Sequence, residues 1–94
     1  MQKAFYGESF ELEFDAYDAR DPDREVDSAT FEIHVDGEKV EEGNMTVTYD
    51  DDEHLNRLTF RFYASHSGMN TIVVTWRMGQ DIMMSKHKIS VEAV

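Results

Sequence analysis

Residues 10–16 read Phe-Glu-Leu-Glu-Phe-Asp-Ala, an alternation of apolar and acidic side chains that decides the fold. The same two-residue period returns in residues 29–35 (ATFEIHV) and in residues 58–64 (LTFRFYA). Because successive side chains of a β-strand point to opposite faces, each stretch has one apolar and one solvated face. Several short strands separated by turn signals are typical of a small antiparallel sandwich or barrel. The alternation therefore predicts an all-β fold.

Seven or eight strands are predicted, because further alternating segments lie between turn signals. Asp36-Gly37 is a two-residue hairpin signal, and Gly79-Gln80 predicts a second tight hairpin. The predicted strands cover residues 9–17, 28–35, 38–42, 45–49, 55–64, 71–78 and 81–91.

The edges and the last strand carry two further expectations. The polar strand over residues 38–42 predicts a charged, protected sheet edge, and the opposite edge is expected from the N-terminal segment or the last strand. In that last strand Ile82 is out of phase with Ile89 and Val91, which predicts a β-bulge within residues 83–86.

The chain has 94 residues and no cysteine, so an apolar core must stabilise it without disulfides or thiolate metal sites. This length fits one domain over residues 1–94. The core is expected between two facing sheets, where five inward positions should be nearly fully buried: Phe14, Ile33, Phe60, Val74 and Trp76.

The net charge of −11 argues against two classes of partner. Neutralising phosphate needs clustered Lys and Arg, so we expect no nucleic-acid partner, and an anionic membrane surface is disfavoured as well. No apolar run reaches the roughly 18 residues that span a bilayer, and the N-terminus shows no secretory signal. The acidic surface suits a module whose copies repel one another, or one that docks on a basic partner.

Two acidic loops are the candidates for a metal site. Residues 50–53 are consecutive carboxylates followed by His54, and residues 18–25 contain four more acids. Calcium takes six to eight oxygen ligands, but neither loop has the spacing of an EF-hand. The loops could share an ion if they lay at one end of the sandwich, which the sequence leaves open. We expect no cofactor and no metal ion that folding requires.

The strongest catalytic candidate is the segment Ser65-His66-Ser67. A serine nucleophile needs a neighbouring base, a third group that orients the base, and an oxyanion hole. The segment has the composition of a turn and lacks the glycines of a nucleophile elbow. We therefore expect no enzyme.

Four residues are the candidates for partner binding. Tyr17 and Tyr63 fall at outward or edge positions, and aromatic side chains offer large rigid contact areas. Met83 and Met84 belong to the last hairpin, where methionine forms an adaptable apolar surface or, alternatively, fills the mouth of the core beside the tryptophan. Residues 86–88 (KHK) add a small basic spot.

Three segments carry a family resemblance. Residues 5–12 (FYGESFEL), 26–33 (VDSATFEI) and 67–76 (SGMNTIVVTW) resemble the immunoglobulin-like modules of tailed-phage virion proteins. A glycine–acid pair precedes the first long strand of those modules, and a glycine leads their penultimate strand. This chain departs from them at Asn70, where a tyrosine often sits. The resemblance implies an immunoglobulin-like antiparallel β-sandwich of seven to eight strands.

The resemblance also implies a function. Such modules occur in baseplate, tail and capsid-decoration proteins, so it implies a non-catalytic structural or adhesive role in the virion. The expected partners are other virion structural proteins or a second copy of the chain, and a host-surface glycan is a further candidate. The alternative is a bacterial cell-surface or carbohydrate-binding sandwich, with or without dependence on calcium.

Overall fold

The computed structural model describes residues 2–94 and contains eight strands over that range. Met1, the first residue of the domain predicted over residues 1–94, lies outside the described residues. In chain order the strands are β1 (Gln2–Phe5), β2 (Ser9–Ala16), β3 (Ser28–Val35), β4 (Glu38–Asn44), β5 (Thr46–Asp50), β6 (Leu55–Tyr63), β7 (Gly68–Met78) and β8 (Asp81–Glu92).

The strands form two facing sheets. The five-stranded sheet has the order β1-β8-β7-β3-β4, and the three-stranded sheet has the order β2-β6-β5. Among residues 2–94 only β1 and β8 pair in parallel, and the other neighbouring strands are antiparallel. An immunoglobulin sandwich has strands B, E and D as neighbours in one sheet and strands C, F and G in the other. Here β2, β6 and β5 take the places of B, E and D, and β3, β7 and β8 take those of C, F and G. The predicted immunoglobulin-like β-sandwich is confirmed.

The core lies between the sheets and uses alternate residues of each strand, as predicted. The rings of Phe31 and Phe60 stack across the two sheets with centroids 3.9 Å apart. Ile33, Phe60 and Val74 are buried as expected, whereas Phe14 and Trp76 are only partly buried. Trp76 is partly exposed because the sheet of three strands does not cover the whole sheet of five. Phe14 is partly exposed because it lies on β2, an edge strand of the smaller sheet.

The predicted bulge in the last strand is wrong. The register between β7 and β8 is continuous from the Gly68–Val91 pair to the Met78–Asp81 pair. Ile82 is out of phase with the inward residues of β8 because it points away from the core, and it is 59% exposed. The register shifts instead between β3 and β4, where a β-bulge or irregularity follows Ile33.

The turns and edges agree with the sequence in most respects. Asp36 and Gly37 have φ values of 54° and 81°, and a type I′ hairpin turn requires both to be positive. Strands β1 and β4 form the two edges of the five-stranded sheet, as expected. Strand β4 extends past residue 42 through Gly43, where an added Cβ would lie 3.0 Å from the ring of Phe31.

Asn70 closes the corner between β6 and β7. Its side chain is 1% exposed, and Nδ2 donates to the carbonyl oxygens of His66 at 2.9 Å and Gly68 at 3.1 Å. In immunoglobulin domains a tyrosine near this corner bonds back to the upstream backbone. Asn70 therefore makes the hydrogen bond to the upstream backbone that the tyrosine makes in those domains.

Asn56 ties the loop of residues 17–27 to the three-stranded sheet. Its side chain is fully buried, and Oδ1 accepts from the backbone N–H of Val26 at 2.9 Å. Nδ2 donates to the carbonyl oxygens of Ala16 at 3.1 Å and Arg24 at 3.0 Å. Three buried backbone groups thus depend on one carboxamide.

Candidate binding surfaces

The hairpin between β7 and β8 is held in place by the loop of residues 17–27. The Arg24 guanidinium donates to Asp81 Oδ2 at 3.0 Å and also to the carbonyl oxygen of Met78. Asp27 Oδ2 accepts from the backbone N–H of Gly79 at 2.7 Å. These contacts position the turn, and with it the start of β8.

Asp18 holds Arg24 from the other side. Its carboxylate is largely buried and accepts from the backbone N–H of Arg20 at 2.9 Å and from Arg24 Nη1 at 3.2 Å. The bond from the Arg20 N–H, with the Arg24 guanidinium, lowers the pKa of Asp18, although burial opposes the shift. The carboxylate is therefore charged at neutral pH and fixes the guanidinium that reaches the hairpin.

The four residues predicted to bind a partner are exposed, but they do not form one surface. Tyr63 pairs with Ser9 at the start of β2, whereas Tyr17 directly follows the end of that strand. Eight residues of strand separate the two positions, a distance of about 26 Å. Tyr17 lies at the same end of the sandwich as Met83 and Met84, and Tyr63 lies at the opposite end.

The two methionines point to opposite faces of β8. Met83 is opposite Trp76, on the side of the core, and is 37% exposed. Met84 is opposite Thr75, on the side away from the core, and is 65% exposed. Ile82 shares the outward direction of Met84, and this direction explains its phase mismatch with Ile89 and Val91 in the sequence.

The side of the five-stranded sheet that faces away from the core, here called the outer face, has an ordered charge pattern. Lys86, Val73, Glu32 and Glu42 are consecutive cross-strand partners and so form one row over β8, β7, β3 and β4. Lys88 lies two residues along β8 and points the same way. The row changes from positive through apolar to negative.

Two shallow depressions lie on the outer face over β3. One, of about 210 Å³, lies between β3 and β4 and includes Thr30 and Asn44. The other, of about 200 Å³, shares Thr30 and extends to the hairpin. The residues that line this second depression are Ser28, Thr30, Thr75, Trp76, Arg77 and Ile82.

The structure brings the two acidic loops together, which the sequence left open. His54 Nδ1 lies 2.8 Å from Asp23 Oδ1, and the Tyr49 hydroxyl donates to the same oxygen at 3.3 Å. Partial burial, with the negative charge of Asp23, raises the pKa of Tyr49. Glu25 and Asp51 line the adjacent open depression of about 680 Å³. Among residues 2–94 no three His, Cys, Asp or Glu side chains are arranged to hold a metal ion.

Two histidines lie beside serine hydroxyls. His66 Nδ1 is 3.2 Å from Ser65 Oγ in an exposed turn, and His87 Nε2 is 2.8 Å from Ser85 Oγ. Burial lowers the pKa of His87, whose ring packs on Phe14 with centroids 4.4 Å apart. In the described part of the chain no carboxylate bonds to either ring, so the third group of a catalytic triad is not supplied there.

The end of the sandwich that carries Tyr63 has a groove of its own. Tyr6 and Tyr63 are 54% and 55% exposed, and both line a depression of about 200 Å³. The backbone of Gly7 donates to the carbonyl oxygen of Ala64 at 2.9 Å, and this bond fixes the floor of the groove. Two exposed aromatic rings at one shallow groove form a second candidate surface.

The described residues include no helix that is long and apolar enough to cross a membrane. No family model, curated protein or solved structure matches the chain. The two surfaces are therefore interpreted from their own geometry and charge.

Proposed function

We propose that this chain is a non-catalytic docking module of immunoglobulin-like fold that binds other structural proteins of a tailed-phage virion. One observation carries the docking role: Ile82 and Met84 are 59% and 65% exposed on the outer face. Contiguous exposed apolar side chains with a charged surround are typical of protein interfaces. The virion setting rests on the resemblance of residues 5–12, 26–33 and 67–76 to phage modules.

The rigidity of the hairpin supports this proposal. Arg24 bridges Asp18 and Asp81, and Asp27 holds Gly79, so the loop of residues 17–27 fixes the turn that precedes Ile82. A surface that is ordered before binding loses less conformational entropy when a partner arrives.

Fractionation of the source culture tests the virion setting. Antibodies raised against the domain are used to probe purified phage particles and purified cell envelopes. We expect the antigen in the particles, at a constant ratio to the major capsid protein. Antigen confined to the envelope fraction would overturn the virion setting and favour a bacterial cell-surface module.

A pair of variants tests the docking surface. Met84→Asp places a charge on the outer face, whereas Tyr63→Asp places the same charge at the opposite end of the sandwich. We expect Met84→Asp to be lost from the particles and Tyr63→Asp to be incorporated normally. Normal incorporation of Met84→Asp would show that the contact lies elsewhere.

The groove between Tyr6 and Tyr63 favours glycan binding as a second candidate function. Tyrosine side chains offer both an apolar ring and a polar hydroxyl, which suits a glycan that has apolar and polar surfaces. Binding to immobilised bacterial glycans, in calcium and in chelator, tests it. We expect Tyr63→Ala to abolish retention and Met84→Asp to preserve it, and retention of Tyr63→Ala would exclude the groove.

A further inference from the structure

We propose that a second copy of this chain docks on the outer face, about a two-fold axis that runs parallel to β7. This inference rests on the proposed docking function and names its partner. The symmetric interface would bring the basic side of one face against the acidic side of the other. The charges, the apolar side chains and the depressions of that face each support this arrangement.

The charges on the outer face are only partly compensated in the single chain. Glu32 and Glu42 lie directly opposite each other on β3 and β4, and like charges in that position destabilise a strand pair. Glu32 contacts His34 at 2.9 Å, and Glu42 forms a salt bridge with Lys39 at 3.0 Å. Lys86 and Lys88 form no salt bridge within residues 2–94. The two lysines of β8 therefore remain available to a partner, and on the acidic side the two carboxylates outnumber the single lysine beside them.

The register determines which symmetry brings these groups together. Lys86 and Glu32 both pair with Val73 and so lie about 4.8 Å from it on opposite sides. A two-fold axis above β7 and parallel to it reverses the order of the residues in each row, so each residue of β8 faces the residue of the partner's β3 in the same row. It places Lys86 over the partner's Glu32, and the two copies of Val73 meet. An axis perpendicular to the strands would place Lys86 over the partner's Lys86, which is repulsive.

The same axis brings apolar side chains to the depressions. Met84 shares its row with Thr75 and Thr30, so it would lie over the partner's Thr30. Ile82 shares its row with Ser28 and would lie at the rim, beside the partner's Ser28. Ser28 and Thr30 line the depression of about 200 Å³. Met84, the most exposed apolar residue of β8, would thus enter the concave part of the partner's face.

Arg77 works against this arrangement, because it lies on β7 and would approach the partner's Arg77. It is four residues from Val73, or about 13 Å along the strand. Facing sheets pack at about 30° to each other, so at that distance the crossing offsets the two copies of Arg77 by several ångströms, and it offsets Ile82 from the partner's Ser28 by the same amount. The repulsion is therefore at the rim of the interface, where solvent screens it.

The size of the face predicts a weak dimer. Five strands span about 19 Å, and the outward residues of β8 from Ile82 to Ser90 span about 26 Å, which gives on the order of 500 Å² per copy. A total of about 1,000 Å² is at the lower limit for a specific complex. With eleven net negative charges on each copy, we expect a Kd on the order of 10–100 µM at physiological salt.

Sedimentation velocity tests the dimer with charge-reversal variants. Wild type, Lys86→Glu, Glu32→Lys and the double variant are measured from about 5 to 500 µM. We expect each single variant to weaken the dimer at least about tenfold, because each creates two repulsive contacts. The double variant should recover to within about threefold of wild type. Thermal unfolding of each variant establishes that it is folded.

Mixing the two single variants gives the sharpest result. In the mixture, Glu at position 86 of one variant faces Lys at position 32 of the other, and the unchanged pair is also attractive. We expect a mixed dimer with about the wild-type Kd. A monomeric wild type at 500 µM, or a mixture that stays monomeric, would overturn this interface. Loss of Met84→Asp from particles would still support docking on another protein in that case.

Discussion

The outer sides of the two sheets use their charges in different ways. On the three-stranded sheet Arg57 lies within 3.3 Å of Glu13, 3.4 Å of Asp50 and 2.7 Å of Glu53. On the five-stranded sheet the basic residues of β8 are separated from the acids of β3 and β4 by all of β7. On the first side Arg57 is paired within the chain, whereas on the second side the lysines of β8 are left for a partner.

Strand register causes this difference. Asp15 pairs with Arg57 and Glu11 pairs with Arg61, so opposite charges meet directly across β2 and β6. On the other sheet Lys86 pairs with Val73. We therefore expect substitutions in the three-stranded sheet to change stability, and substitutions on the outer face of the five-stranded sheet to change association.

The largest effect on stability is expected from Asn56→Ala. The substitution leaves the N–H of Val26 and the carbonyl groups of Ala16 and Arg24 without their partner. Buried unsatisfied groups of this kind cost about 1–3 kcal/mol each, so we expect a loss of about 3–4 kcal/mol from the free energy of unfolding. Urea unfolding measures it. The control is Asn44→Ala, at an exposed position, which should change stability by less than about 0.5 kcal/mol.

The next effect separates the two methionines of the hairpin. Met83→Asp places a carboxylate beside Trp76, on the side of the core, and should lower the free energy of unfolding by about 1–2 kcal/mol. Met84→Asp should change stability by less than about 0.5 kcal/mol and weaken association at least about tenfold. Urea unfolding and sedimentation velocity measure the two quantities. Equal stability losses in both variants would contradict the assignment of the residues to opposite faces.

The sequence predicted the parts of this fold that depend on local pattern. The alternation in residues 10–16, 29–35 and 58–64 placed the strands of both sheets, and Asp36-Gly37 placed a hairpin. These features follow from the two-residue period of a strand and from the positive φ of a primed turn. They need no knowledge of the other sheet.

The candidate site could not be predicted in the same way. Ile82 was assigned to a bulge because an outward apolar residue breaks the phase of an amphipathic strand. Likewise, Tyr17 and Tyr63 each come at the C-terminal end of a predicted strand but lie at opposite ends of the sandwich, because β2 and β6 are antiparallel. Which face is covered, and which ends meet, depends on the packing of the two sheets.

A smaller effect on stability is expected from the ion pairs of Arg57 on the three-stranded sheet. Arg57→Gln leaves three carboxylates close together, so we expect Tm to fall by a few degrees at low ionic strength. The loss should shrink at about 1 M salt, where the Debye length is about 3 Å. Lys86→Gln is the matched control, and it should leave Tm of the monomer unchanged. A loss of the same size at both salt concentrations would assign the role of Arg57 to packing.

The smallest effect concerns His87, on the inner side of β8. Burial lowers its pKa below the ordinary histidine value of 6.5, so the unfolded chain takes up this proton at a higher pH than the folded chain. Stability is therefore lost as the pH falls through 6.5 toward the lower pKa of the folded state, and the loss is complete below that value. The expected loss is below about 1 kcal/mol, since the ring is only partly buried. Differences in Tm between pH 7.5 and 5 measure it.

Two variants separate the titration of His87 from its packing. His87→Phe keeps a ring against Phe14, and His87→Gln removes the ring, but neither side chain titrates. Because the pH-dependent loss comes from proton uptake, both variants should show the same shallower dependence of Tm on pH, whatever their absolute stability. If only His87→Gln changed the dependence of Tm on pH, the contact of the ring with Phe14 would be responsible for it. If neither variant changed it, the proton would be taken up by another residue. Since His87 pairs with Ile72 on the side of the core, we expect neither variant to change the Kd of the outer-face dimer by more than about threefold.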